Sequence, residues 1–196
     1  MFVRIPLSQR YSGLIMEYSV DHMSIDLIPE WQLSRADDAA IATLLRRSFT
    51  TDFGGRSYFV QRQHLRVVQR NAGVIIGHMA LVWRAVRLGD TLLTVVGLGD
   101  VATDPDHRGQ GIAARLLQVA MDTARQSPAE FMLLFGDAQL YTAAGFRPVQ
   151  NPLALHVLTR TGLRRVEQQS DSLMVLALAD RRWPESDLLD LRGAGF

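Results

Sequence analysis

The chain contains no cysteine, which excludes a disulfide framework, a thiolate metal site and a covalent acyl-cysteine intermediate. It also lacks an excess of positive charge. With 21 Lys and Arg against 20 Asp and Glu, and no basic run, neither nucleic acid nor an anionic membrane is expected as a partner. No apolar stretch approaches the roughly 18 residues of a membrane span, and residues 1–7 lack the apolar core of a signal peptide. The cytoplasm is therefore the expected location. A Walker loop would need Gly-Lys-Ser/Thr, which is absent, and no G-x-S-x-G elbow presents a serine nucleophile. No His, Asp and Glu group has metal-ligand spacing, so no metal is expected.

What is present suits a globular protein: 196 residues, 47% hydrophobic and 21% charged, enough to bury a sizeable core in one domain. Residues 1–24 show no periodicity and read as an N-terminal extension; residues 25–196 read as a single domain that includes a C-terminal tail. After a short strand near 25–28, Ser34 with Asp37 three residues on opens a helix whose apolar stripe is Ile41, Leu44, Leu45 and Phe49. Leu65 to Gln69, Val74 to Val86 and Thr91 to Thr103 follow, separated by Asn71-Ala72-Gly73 and Gly89-Asp90, and predict an antiparallel meander. A helix from Ile112, a buried strand at 131–135, a short helix at 138–144 closed by Gly145, and strands at 153–158 and 172–178 complete the order. Strand, helix, strand implies a right-handed crossover and a parallel pair.

The most informative segment is Asp104-Pro105-Asp106-His107-Arg108-Gly109-Gln110-Gly111-Ile112-Ala113. It joins an apolar strand to an amphipathic helix through a glycine-rich turn bearing a cation. The glycines allow close backbone approach, and the first N–H groups of the helix are unpaired at the positive end of its dipole, which suits a phosphate. Gly97-Leu98-Gly99-Asp100-Val101-Ala102 imitates a dinucleotide fingerprint, but that fingerprint must open a helix directly. Here it lies inside a strand.

The spacing Arg108-x-x-Gly111-x-Ala113, the element order and Tyr141-Thr142-Ala143-Ala144-Gly145-Phe146 together resemble the GNAT acyltransferase superfamily over residues 25–180. The resemblance implies an α+β fold: a central, mostly antiparallel sheet of six to seven strands with one parallel pair, the fourth and fifth, flanked by helices. It implies acetyl-CoA or another acyl-CoA as co-substrate, with Arg108, Gly109, Gln110, Gly111, Ile112 and Ala113 around the pyrophosphate. The main chain of Val101, Ala102 and Thr103 would hold the pantetheine arm. Within the superfamily, Phe49-Thr50-Thr51-Asp52-Phe53, residues 73–78 and residues 107–110 are similar to aminoglycoside 2′-N-acetyltransferases. Phe53-Gly54-Gly55-Arg56-Ser57 and the tail from Trp183 to Asp190 are similar to the nodulation acyltransferase NodA.

These resemblances imply a small-molecule amine as acceptor, an amino sugar among the candidates. Without a cysteine or serine elbow, direct attack within a ternary complex is the simplest chemistry. Tyr141 is the candidate acid for the departing thiolate. The base is less settled, because Gly99 stands where the aminoglycoside enzymes carry a glutamate. Asp100 is one residue later, and alternation points it to the other face unless a bulge interrupts the strand. Asp52, Trp83, Asp187 and Asp190 are candidate acceptor-binding residues. His78 reads as a core histidine, and Arg62, Arg66 and Arg70 as a solvated face or an aid to the adenosine phosphate. A catalytically silent acyl-CoA-binding module, transfer from an acyl carrier protein, and a homodimer all remain compatible with the sequence.

Overall fold

Val74 to Leu88 is an almost unbroken apolar run, and in the computed structural model, which describes residues 23–136 and 139–196, it forms the strand around which the sheet is organised. The element order is β1 (Met23–Pro29), α1 (Arg35–Ser48), β2 (Leu65–Asn71), β3 (Val74–Leu88), β4 (Thr91–Thr103), α2 (Ile112–Arg125), β5 (Phe131–Phe135), α3 (Gln139–Ala143), β6 (Arg147–Pro148), β7 (Pro152–Thr159), β8 (Gly162–Gln169), β9 (Leu173–Ala177) and β10 (Leu189–Asp190). All ten strands belong to one sheet, ordered β6-β9-β5-β4-β3-β10-β7-β8, with β2 on the β3 edge and β1 outside it. β4 and β5 run parallel, as the crossover through α2 requires.

The two long helices form for legible reasons. Ser34 caps α1 by accepting from the Asp37 N–H at 3.0 Å, and Asp37, Asp38, Arg46 and Arg47 complement the helix dipole at its two ends. Ile112, Leu116, Leu117, Ala120, Met121 and Ala124 are the buried stripe of α2. They pack with Ile76, Met79, Leu98 and Leu134 on one face of the sheet, where each fully buried aliphatic side chain contributes about 1.5–3 kcal/mol. α1 covers the other face, where Ile41, Leu44 and Leu45 meet Val68, Ile75 and Ala102.

A third cluster lies at the far end of the sheet around Phe131 and Trp183. Trp183 packs edge-on to Phe131 at 4.9 Å and donates its indole N–H to Asn151 at 2.7 Å. The tail is thus pinned into the core.

The strand count exceeds the six to seven expected. β6 and β10 are two-residue ladders with no sequence pattern to betray them, and β8 is solvent-exposed along almost its whole length, so no apolar alternation marks it. β10 also pairs parallel with β7, a second parallel contact beside β4–β5. Residues 1–22 of the expected extension, and Ala138 at the expected start of α3, lie outside the described residues.

Candidate active site

The turn between β4 and α2 is built by local polar bonds. Asp104 accepts from the Asp106 N–H at 2.9 Å, its own N–H donates to Ile76 O at 2.9 Å, and Arg47 of α1 bridges Asp104 and Asp106. Beyond it, Gly109 and Gly111 have φ of +76° and +73°, conformations that favour glycine. Gly111 is the residue before the helix and offers no side-chain cap, so the first N–H groups of α2 are not consumed from that position. Arg108, Gly109, Gln110 and Gly111 are exposed, Ala113 is half-buried and Ile112 is buried as the first core residue of the helix. Arg115 holds the loop by donating to Gln110 O at 2.9 Å.

Upstream, β4 and β5 pair only from Val95–Phe131 to Leu98–Leu134. From Gly99 to Thr103, β4 continues against β3 alone, so the main-chain edge of Val101, Ala102 and Thr103 has no strand partner on the β5 side among the described residues. The two strands open as a fork pointing at the α2 N-terminus.

At the fork β4 carries a bulge. Ala80 lies opposite Gly99 while His78 lies opposite Ala102, so Asp100 and Val101 share one position, and Asp100 takes a φ of +50°. The extra residue changes the facing. Val101 packs into the α2-side core, while the half-buried Asp100 carboxylate lies on the α1 side, accepting from Gln63 Nε2 at 2.9 Å.

A buried polar chain holds this geometry. His78 Nδ1 is 2.8 Å from Asp100 O and His78 Nε2 is 3.3 Å from Arg66 Nη1. Both side chains are fully buried. Burial, with the Arg66 charge beside it, pulls the His78 pKa down to about 3, so the neutral ring donates from Nδ1 and accepts from Arg66 at Nε2. Arg66 in turn donates to Ser57 O at 2.9 Å and to Glu30 at 2.8 Å. Burial raises the Asp100 pKa, against the opposing pull of Arg66 and the Gln63 hydrogen bond.

Tyr141 sits in the α2-side core beside the β5 arm of the fork: a Cβ on Gly136, directly after β5, would lie 3.0 Å from Tyr141 Cε2. Its ring packs against Phe146 at 6.1 Å, and burial raises its pKa. Asp100 and Tyr141 thus lie by the two arms of the fork, on opposite faces of the sheet.

The remaining candidates are scattered. Asp52 accepts from the Gly54 N–H at 2.6 Å, within its own turn. Trp83 is on the α2 face, where it lines a cavity of about 140 Å³ with His64, Thr123 and Ser127. Asp187 abuts Gly89, and Asp190, paired opposite Arg87, contacts Arg165 at 3.2 Å. Asp190 is thus eight β3 positions from the bulge, roughly 26 Å at the usual strand rise. Arg62, Arg66 and Arg70 each face carboxylates: Glu30 and Asp38, Glu30, and Asp26 and Asp37 respectively. Among the described residues, no group of three or more His, Asp or Glu could hold a metal, and no helix is long and apolar enough to cross a membrane.

Nothing in the sequence marks Gln63 and Arg66 as neighbours of Asp100, or Phe135 and Phe196 as the pair of rings that meet at the fork (6.0 Å, stacked). The four-residue arginine spacing was the available signal for Arg66.

Comparison with known proteins agrees with this geometry. Residues 33–149 match the family model described as an acetyltransferase (GNAT) domain. An N-acetyltransferase of Escherichia coli strain K12, YhbS, is 30% identical over 115 residues, covering 56% of this chain and 68% of that protein. The crystal structure of YhbS from Escherichia coli in complex with CoA superposes with a TM-score of 0.63 at 22% identity, covering 89% of this chain and 92% of that one. Nodulation protein A of Rhizobium meliloti is 35% identical over 92 residues (43% and 47%). Aminoglycoside 2′-N-acetyltransferase of Mycolicibacterium fortuitum is 30% identical over 106 residues (53% and 53%); the match spans about half of each of these two relatives. With the family model covering more than half its length, the fork in its sheet and the glycine turn before α2, this chain belongs to the GNAT acetyltransferase family.

Proposed function

We propose that this protein transfers an acetyl or other acyl group from acyl-CoA to a primary amine of a small molecule, by direct attack. The observation that supports the reading is the β4 bulge, which brings the Asp100 carboxylate to the point where β4 and β5 part, ahead of the glycine turn that leads into the uncapped start of α2. The loop fits a pyrophosphate: two left-handed glycines expose amides, no side chain caps the helix, and Arg108 stands exposed beside them. The edge of Val101 to Thr103, which has no strand partner on the β5 side among the described residues, fits an extended amide-bearing arm. Bound acyl-CoA supplies the activated thioester.

Asp100 accepts the proton that the attacking amine must lose, and its raised pKa makes it a better base at neutral pH than an ordinary aspartate. The nitrogen–carbon bond forms as the carbon–sulfur bond breaks, and Tyr141 donates its hydroxyl proton to the leaving sulfur. Burial keeps that hydroxyl protonated at neutral pH. Fixed geometry supplies much of the rate by converting a bimolecular collision into a positioned reaction.

The test is release of thiol from acetyl-CoA in the presence of a panel of amines, beside calorimetric titration of CoA. Amine-dependent release supports the reading. CoA binding without release from any amine would instead identify a silent acyl-CoA-binding module, and release only from a loaded carrier protein would identify carrier-dependent transfer.

A further inference from the structure

The side of β4 at Gly97 and Gly99 is occupied by a distant part of the chain. A Cβ on Gly97 would lie 2.0 Å from Cδ1 of Phe196, and one on Gly99 would lie 2.6 Å from the Phe196 main-chain carbon. Neither distance is tolerable for a real side chain, so the two glycines of β4 form a slot filled by Phe196. Alternation puts Gly97 and Gly99 on the same face of β4, and the bulge brings the Asp100 carboxylate to that side.

The approach to the slot is anchored along its length. Leu191 N–H donates to Ala154 O at 2.9 Å and His156 N–H donates to Gly193 O at 2.8 Å. Arg84 of β3 donates to Ala194 O at 2.5 Å and lays its guanidinium 5.0 Å from the centre of the Phe196 ring. The segment 191–196 therefore crosses the sheet from β7 over β3 to β4. Its aromatic ring stacks on Phe135, the residue directly after the last β4–β5 pair. Both rings are half-buried, so each keeps part of its surface exposed.

We infer that Phe196, seated in the Gly97–Gly99 slot and stacked on Phe135, is a specificity-determining residue that forms the acceptor wall beside Asp100 and selects a primary amine carried on a flat, apolar body. The inference rests on the acyltransferase reading above. Two stacked rings give a flat apolar acceptor a face to pack on, and a stacked ring pair is the kind of contact whose loss changes binding by about tenfold. The Arg84 guanidinium above the ring disfavours a second positive charge there.

The experiment compares tyramine and tryptamine with glucosamine and spermidine as acceptors for the full chain, for Phe196→Ala, for Gly97→Ala and for the double variant. KM for acetyl-CoA and the melting temperature are measured alongside. The wild type is expected to prefer the arylalkylamines. Phe196→Ala and Gly97→Ala should each raise KM for tyramine about tenfold, leaving KM for acetyl-CoA within twofold. The double variant should be no worse than Gly97→Ala alone, because both changes remove the same ring from the same slot. A preference for glucosamine or spermidine, an unchanged tyramine KM in Phe196→Ala, or equal shifts in both KM values would overturn the inference while leaving the acyltransferase reading intact. If the wild type releases no thiol with any amine, the acyltransferase reading fails and this inference fails with it.

Discussion

His78 Nδ1 lies 2.8 Å from the main-chain oxygen of Asp100, and that contact joins a fully buried imidazole on β3 to the bulged residue of β4. The bulge leaves the Asp100 carbonyl without its regular ladder partner, and a neutral histidine supplies the missing donor. The relationship ties the placement of Asp100, and with it the proposed proton transfer, to one ring.

The first expectation concerns pH and folding. In the unfolded chain His78 titrates near 6.5, whereas burial holds it to about 3 in the folded protein. Between those values the unfolded chain binds a proton that the folded protein does not. Stability from this group is therefore complete above about pH 6.5 and falls as the pH drops towards 3, by up to about 1.4 kcal/mol per pH unit. Urea denaturation from pH 4 to 8 should show this slope in the wild type and a shallower one in His78→Asn. His78→Leu, which strands the Asp100 carbonyl, should cost about 1–3 kcal/mol at pH 7.

Asp100→Asn should lower kcat/KM by roughly a hundredfold or more, in the range expected for a lost general base, with CoA affinity unchanged. In the wild type, log kcat/KM should fall on the acid side through a pKa above the ordinary aspartate value, because burial raises it. Steady-state kinetics against pH, with calorimetry for CoA, checks both halves.

Tyr141→Phe keeps the ring that packs against Phe146 and removes only the hydroxyl. The expected result is a drop in kcat of about a hundredfold or more with melting temperature and CoA affinity little changed. An unchanged kcat would remove Tyr141 from the proton path.

At the loop, Gly111→Ala forces a side chain into a φ of +73°, a conformation that costs roughly 1–2 kcal/mol for other residues. CoA affinity should fall about tenfold with kcat at saturation preserved. Arg108→Ala should weaken CoA in a salt-dependent manner, since the exposed cation acts largely through its charge. Titrations at 50 and 500 mM salt separate the two effects.

The periodic parts of the chain were legible before folding was considered. The 13-residue strand β4 and the cap of α1 stand where the pattern put them, since alternation and capping are local. The loop glycines were legible because a positive φ selects their residue type. The facing of Asp100 was not, because a bulge is specified by partners 22 and 37 residues away, His78 and Gln63. Arg66 illustrates the same limit: its spacing from Arg62 and Arg70 suggests a solvated row, yet it is fully buried between Glu30 and His78. Phe196 was beyond reach altogether, because nothing local to Gly97 shows that residue 196 fills its empty side.

The carboxylate that the bulge brings to the fork is proposed to drive acyl transfer to an amine. The most direct test of that role is the initial rate of thiol release from acetyl-CoA as both acetyl-CoA and an accepted amine are varied, in the wild type and in Asp100→Asn. Intersecting double-reciprocal lines are expected, as direct attack in a ternary complex requires, with a loss of roughly a hundredfold or more in the variant. Parallel lines, or equal rates in the two proteins, would contradict it.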